Sequence, residues 1–268
     1  MAESRQVNIR RWRGDGLQPA EVDSVAREEP LEIRVRGRGI AVTMRTPGHD
    51  KELAAGFLCT EGLIKKRTDV IELTHCTEGE AAQLGNTINV FLGPDVEIDF
   101  AKLTRHFFAS SSCGLCGKAT IEGVHQQFPA IKSELKIEAD LLAHLPEKLR
   151  NAQATFDQTG GLHAAGIFSA DAQLLSCRED IGRHNAVDKV IGHAFLNEID
   201  LSQCVLLVSG RASFEIMQKA LAARIPIVAA VSAPSSLAVE FAEESAQTLA
   251  GFVRGEKMNI YSGSKRIQ

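Results

Sequence analysis

Cys204-Val205-Leu206-Leu207-Val208 runs directly into Ser209-Gly210-Arg211-Ala212-Ser213, and Ile227-Val228-Ala229-Ala230-Val231 runs into Ser232-Ala233-Pro234-Ser235-Ser236. Both runs are apolar at every position, as parallel strands covered on both faces are. Each is followed by a short loop of small residues and then by a helical pattern, over residues 213–223 and 235–244. Upstream, a strand pair at 162–168 and 173–177 leads into a helix at 183–196, and strands at 248–253 and 258–261 close the chain. Strands and helices alternating with short links predict a layered α/β sheet.

In such a sheet the loops after residues 208 and 231 lie at strand C-terminal ends, where helix N-termini attract anions. Ser209, Gly210, Arg211, Ser232 and Ser235 are therefore candidates for holding a phosphorylated ligand. Neither loop is a P-loop, and serine is also an ordinary helix cap. Arg254-Gly255 brings a second cation to the same edge if the sheet closes as expected. His163 follows the tight turn at Gly160-Gly161, and His184 opens a helix with Asp188 one turn on. A satisfied core histidine, a helix capped by Asp180 and a solvated His184–Asp188 pair are the structural alternatives for these residues.

Towards the N-terminus, residues 1–29 are polar and read as irregular, with one short edge strand at 7–12. Alternation over 31–36 and 40–44 around Gly37-Arg38-Gly39 predicts a β-hairpin. Pro47-Gly48-His49-Asp50 opens a helix ending near residue 61, and strands follow at 70–74 and 87–92. Residues 119–158 read as helical, interrupted at Pro129 and Pro146. The chain thus divides into a polar segment (1–29), a smaller α+β region (30–120) and an α/β core (121–268).

The 268 residues are 44% hydrophobic and 24% charged, which excludes a disordered or fibrous chain. Lys+Arg 30 against Asp+Glu 34 leaves a net charge of −4, which argues against a dominant nucleic-acid or membrane surface. No apolar run approaches the roughly 20 residues that cross a bilayer. Arg10-Arg11 has no apolar segment after it, as an export signal would require. A cytoplasmic protein is expected, with its six cysteines reduced.

Cys113-Gly114-Leu115-Cys116 lies in the small-residue stretch 109–118, and four readings compete for it. A structural zinc site needs four ligands, of which this pair supplies two. A zinc deaminase would have proline where Ser112 stands and a His-x-Glu upstream, which the chain lacks. A thioredoxin-like dithiol would follow an early strand of a βαβ unit. A sulfur-carrying nucleophile needs a lowered thiol pKa, which a helix N-terminus and Lys118 would supply. That nucleophile is the fourth reading, and an inert pair is the structural alternative to all of them. For Cys59, Cys177 and Cys204, packing in the core is the plain reading.

Long motifs in a fixed order resemble the formate dehydrogenase accessory sulfurtransferases, the FdhD/NarQ family. They are Arg45-Thr46-Pro47-Gly48-His49-Asp50-Lys51-Glu52-Leu53-Ala54, Ser112-Cys113-Gly114-Leu115-Cys116-Gly117-Lys118, and the segments 159–165, 178–189, 209–219, 231–237 and 251–261. The resemblance implies a cytidine-deaminase-like layered α/β core with a smaller α+β N-terminal region, and a homodimer. It implies that sulfur is taken from a cysteine desulfurase and passed to the molybdenum bis(guanine dinucleotide) cofactor before that cofactor enters formate dehydrogenase. By position, Cys113 is similar to the persulfide-carrying cysteine and Cys116 to its companion. Phe252, Val253, Arg254, Gly255, Glu256 and Lys257 match the family's cofactor-binding stretch, with His163 and His184 as further ligand-site candidates. No structural metal is implied. The alternative function is a cofactor-binding chaperone without sulfur chemistry.

Overall fold

In the computed structural model, residues 2–77, 85–98, 100, 124–125 and 127–268 are described. The apolar runs form strands β9 (Cys204–Val208) and β10 (Ile227–Ala230), paired in parallel with each other, and β10 pairs in parallel with β11 (Thr248–Arg254). An antiparallel pair, β7 (His163–Ser169) and β8 (Leu174–Asp180), extends one side, and β12 (Lys257–Ser262) extends the other. The six-stranded order is β12-β11-β10-β9-β7-β8.

Strand alternation sorts this core into layers. Val205, Leu207, Ile227 and Ala229 face helix α2 (Ala139–Asn151) through its Leu142, Leu145 and Leu149. Leu206, Val208, Val228 and Ala230 face the other way, onto α4 (Arg183–Leu196), α5 (Phe214–Ala222) and α6 (Ser236–Glu244). A short helix, α3 (Ala154–Thr159), leads into β7. Helices thus cover both faces of a sheet whose central strands are parallel, the arrangement that their two-sided apolarity requires.

A second, four-stranded sheet lies N-terminal, in the order β4-β3-β6-β5: β3 (Glu29–Val35), β4 (Arg38–Arg45), β5 (Val70–His75) and β6 (Thr87–Leu92). Leu31, Ile33, Val35, Ile88 and Val90 pack its inner face onto α1 (Asp50–Thr60) through Leu53, Ala54 and Leu58. Helix α1 in turn lies backbone to backbone on α4. A Cβ added at Gly56 would stand 1.8 Å from the Asp188 carbonyl oxygen, and one at Gly192 would stand 1.8 Å from that of Glu52. Only glycine permits that approach.

Three expectations need correction. Residues 1–29 are not irregular: β1 (Ser4–Arg13) and β2 (Gly16–Ala26) form a long antiparallel hairpin. Both strands are largely exposed, so the apolar alternation that marks a half-buried strand is missing. Cross-strand pairing of Arg11 with Glu21 and Asp23 joins its strands instead. Residues 130–138 are not helical. They run beside the C-terminal segment, where Ile137 bridges Ile267 and the Ile131 amide donates to the Ser245 carbonyl at 2.8 Å. Finally, Pro146 does not interrupt α2, because the three buried leucines on the sheet hold the helix across the one bond that proline removes. Among the described residues, no helix is long and apolar enough to cross a membrane.

Candidate functional site

Because β9, β10 and β11 are parallel and β7 is antiparallel to β9, four chain segments meet at one edge of the six-stranded sheet. They are the Gly160–His163 turn, the loops after β9 and β10, and the hairpin between β11 and β12. Backbone bonds lock them together. The Ser209 amide donates to the Ala164 carbonyl and the Ala164 amide to Ser209 Oγ, both at 2.9 Å. The Ser235 amide donates to the Ala212 carbonyl at 3.0 Å, and the Phe252 amide to the Ser232 carbonyl at 3.1 Å. Phe252 sits at φ 54°, a left-handed conformation rare for a bulky residue and one that accumulates at ligand sites.

At this edge opens a cavity of about 670 Å³, within the roughly 300–1,000 Å³ of small-molecule sites. Of the residues singled out in the sequence, His163, Ser209, Arg254 and Gly255 line it. Gly210 abuts His163, since an added Cβ would stand 3.3 Å from the imidazole Nδ1. The His163 imidazole is held below its ordinary pKa by burial and by the nearby Arg183 and His184, so its neutral form is favoured at neutral pH.

The other candidates stand elsewhere. Val253 is buried in the core, while Glu256 and Lys257 are exposed at the hairpin tip. Arg211 is exposed beyond the cavity lining. Ser235 Oγ caps α6 by accepting from the Ala238 amide at 3.2 Å, the structural role weighed for it above. His184 does not pair with Asp188: its Nε2 meets Glu215 Oε2 at 2.9 Å and Ser213 Oγ at 3.3 Å. That hydrogen bond draws the Glu215 carboxyl down to about 2. Cys113 and Cys116 lie outside the described residues.

The far wall of the cavity was not legible in the sequence. It comes from α2 and α3 through Arg150, Gln153 and Phe156. These residues fall in the segment read as helical, where nothing in the spacing separates a cavity-lining side chain from a solvated one. Arg150 lies over the Phe156 ring at 4.7 Å and pairs with Asp157 at 2.5 Å.

Four buried or half-buried ion-paired clusters are structural instead. Arg45 forks onto Asp50 at 2.9 and 3.0 Å with both side chains buried. Lys189 Nζ reaches Asp180 Oδ2 at 2.7 Å and the Thr46 carbonyl at 2.9 Å. Lys219 Nζ meets both oxygens of Asp188 at 2.9 Å and the Thr60 hydroxyl oxygen at 3.0 Å. Glu52 takes Arg178 at 2.5 and 2.7 Å, with His193 at 3.0 Å and His49 at 3.2 Å. Burial pushes the Glu52 carboxyl up, but hydrogen bonds from Arg178, His49 and His193 outweigh it and hold the group well below the usual carboxylate range. The thiols of Cys59, Cys177 and Cys204 are pushed up by burial to about 11, 12 and 11, so they remain protonated and packed.

Comparison with known proteins agrees with this architecture. The sequence model of the FdhD/NarQ family matches residues 26–268. A Streptomyces coelicolor protein named "Sulfur carrier protein FdhD" is 48% identical over 259 residues, covering 94% of this chain and 92% of that protein. A Mycobacterium tuberculosis protein of the same name is 52% identical over 253 residues, 91% of this chain and 92% of its own length. One from Sulfolobus acidocaldarius is 41% identical, with 98% of both chains covered. A crystal structure of a protein assigned as a formate dehydrogenase accessory protein, from Desulfotalea psychrophila, superposes with a TM-score of 0.79 at 25% identity over 100% of both chains. On the family match and these identities, the chain belongs to the FdhD/NarQ family.

Proposed function

We propose that this protein carries sulfur for the maturation of formate dehydrogenase: it takes persulfide sulfur from a cysteine desulfurase and passes it to the molybdenum bis(guanine dinucleotide) cofactor, its substrate. The observation that carries this reading is the cavity at the shared strand edge, where His163, Ser209 and Arg254 come together from three segments far apart in the chain. A neutral imidazole, a hydroxyl and an exposed guanidinium above an apolar floor suit a ligand with phosphates at one end and a flat ring at the other. The names of its relatives support the sulfur chemistry. We read the core as a deaminase-like layering without the deaminase metal set, in a cytoplasmic homodimer.

Cys113 is the carrier. Its thiolate attacks the outer sulfur of the donor's persulfide, the donor S–S bond breaks, and the desulfurase cysteine leaves as thiolate. For delivery, the Cys116 thiolate attacks the Cys113 Sγ and expels hydrosulfide towards the bound metal centre. The two cysteines are thereby oxidised to a disulfide, and the sulfane sulfur is reduced by the same two electrons.

Intact and peptide mass spectrometry after incubation with a cysteine desulfurase and cysteine tests this. One sulfur gained on Cys113, and none in Cys113→Ala, is the expected result. If instead Cys113→Ala gains as much, or matures formate dehydrogenase as well as the wild type in cells, the carrier role fails. The cofactor chaperone then replaces it, and it predicts that Cys113→Ser is tolerated.

A further inference from the structure

The large apolar side chains that stand exposed fall mainly on two surfaces. Trp12 (72% exposed), Leu17 and Val22 lie on the β1–β2 hairpin, and Val42, Met44, Ile71 and Phe91 on the four-stranded sheet. Strand pairing sorts both sets. Trp12 stands opposite Leu17 and Val22 opposite Asn8, with the Arg10–Ala20 pair between them on the same face of the ribbon. In the sheet, Val42 is opposite Glu32, Met44 opposite Pro30 and Phe91 opposite Glu72, which puts them on the face turned away from α1. Ile71 stands in a bulge beside Glu72.

The hairpin is tied down at its base. The Thr155 hydroxyl donates to the Glu3 carboxylate, and the Arg27 amide to the Glu3 carbonyl at 2.9 Å. Among the described residues, the hydrogen bonds and ion pairs of residues 5–25 all stay within the ribbon. A two-stranded ribbon with both edges open is marginal in water by itself, so a second surface is needed to cover it. Charge says which surface. Arg11 is paired with Glu21 and Asp23, whereas Arg10 and Arg13, on either side of Trp12, have no ion pair among the described residues. Glu72, exposed between Ile71 and the cross-strand Phe91, has none either. A basic aromatic tip and an acidic apolar face are complementary, and within one chain both are uncovered, so the contact runs between chains.

We propose that two copies of this chain exchange hairpins about a twofold axis, each laying its Trp12–Leu17 tip on Ile71 and Phe91 of the other copy, with Arg10 and Arg13 meeting Glu72 there. Such an interface is closed, since each copy gives one arm and receives one. A ten-residue strand is about 33 Å long and the ribbon about 10 Å wide, so the two contacts bury about 1,300 Å² in all, the area of a standard stable interface. This rests on the homodimer of the reading above and supplies its surface.

Sedimentation velocity of the full chain over a dilution series tests it, together with tryptophan emission, because Trp12 is the chain's only tryptophan. The wild type should sediment as a dimer with blue-shifted emission that moves red as it dissociates. Trp12→Ser, the pair Arg10→Glu with Arg13→Glu, and Glu72→Arg should each weaken the dimer by at least about tenfold. Combining Arg10→Glu, Arg13→Glu and Glu72→Arg should restore it, since each reversed arm then meets a reversed seat. All four positions are exposed, so the fold should survive every change. A dimer whose emission is that of a solvated indole, or whose affinity ignores the tip, would overturn the arm and leave the homodimer standing. Weakening without rescue in the triple variant would overturn the seat at Glu72. A monomeric wild type would overturn the arm and the homodimer together.

Discussion

The seam between α1 and α4 and the cavity at the strand edge are built from the same residue types, and they differ in saturation. In the seam every buried charge has its opposite. Asp188 holds Lys219, Asp180 holds Lys189, and Asp50 holds Arg45. At the cavity, His163 and Arg254 are exposed, and neither has an ion pair among the described residues. A polar group that is already satisfied stabilises the fold or its register, whereas one left open in a pocket is held for something that arrives. The two regions should therefore fail differently when cut.

Removing one member of a seam pair is the harshest cut. Lys219→Met leaves the buried Asp188 carboxylate without its cation and with only the Thr60 hydroxyl donating to it, and should lower stability by about 3–5 kcal/mol in denaturant unfolding at neutral pH. Combining it with Asp188→Leu should recover a large part of that loss, since the uncompensated charge is gone. A loss that persists undiminished in the double variant would mean the pair specifies more than charge balance.

Next is the backbone approach that brings the seam charges together. Gly192→Ala places a methyl group against the Glu52 carbonyl, so α1 must move away from α4 at a cost of at least about 1–3 kcal/mol. The seam is also acid-sensitive. The folded Glu52 carboxyl titrates below its unfolded value near 4.5, so its contribution is complete above that pH. It is lost as the pH falls further. Urea midpoints measured from pH 7 to pH 3 should fall more steeply in the wild type than in Glu52→Gln.

How much of this was legible follows the same division. The parallel strands and their helices could be read because burial on both faces writes itself into Val205, Leu206, Val228 and Ala229 as an unbroken apolar run. The hairpin β1–β2 could not be read, because an exposed ribbon needs no apolar face. Within the site, His163, Ser209 and Arg254 stood next to turns that sequence reveals. Gln153 was not legible as part of the lining, since it stands at the N-cap position of α3 while Glu179 makes the cap from another strand. The seam could not be read for a related reason: Arg178 meets Glu52, and Asp180 and Lys189 meet the Thr46 backbone, partners far away in sequence.

At the cavity the expected losses are of ligand, not of fold. Arg254 is exposed, so Arg254→Ala should leave the melting temperature unchanged. GDP affinity should drop by about tenfold, the worth of one charge-assisted hydrogen bond. A drop in melting temperature as large as that of Gly192→Ala would move Arg254 into the seam's class and break the distinction.

The smallest effect is also the most specific. Without ligand, the His163 imidazole is held below its ordinary pKa by partial burial and by the cationic Arg183 nearby. A phosphate arriving beside it supplies the missing negative charge and raises its pKa, so binding takes up a proton. Affinity for a phosphorylated ligand should therefore strengthen as the pH falls from 8 to 6. The ligand's own phosphate titrates in the same range, so the diagnostic quantity is the difference in pH slope between the wild type and His163→Asn, not the slope itself. If the two slopes coincide, the imidazole does not meet the phosphates. The charged end of the ligand must then lie along the other two cations of the lining, Arg254 and Arg150, away from the β7 turn.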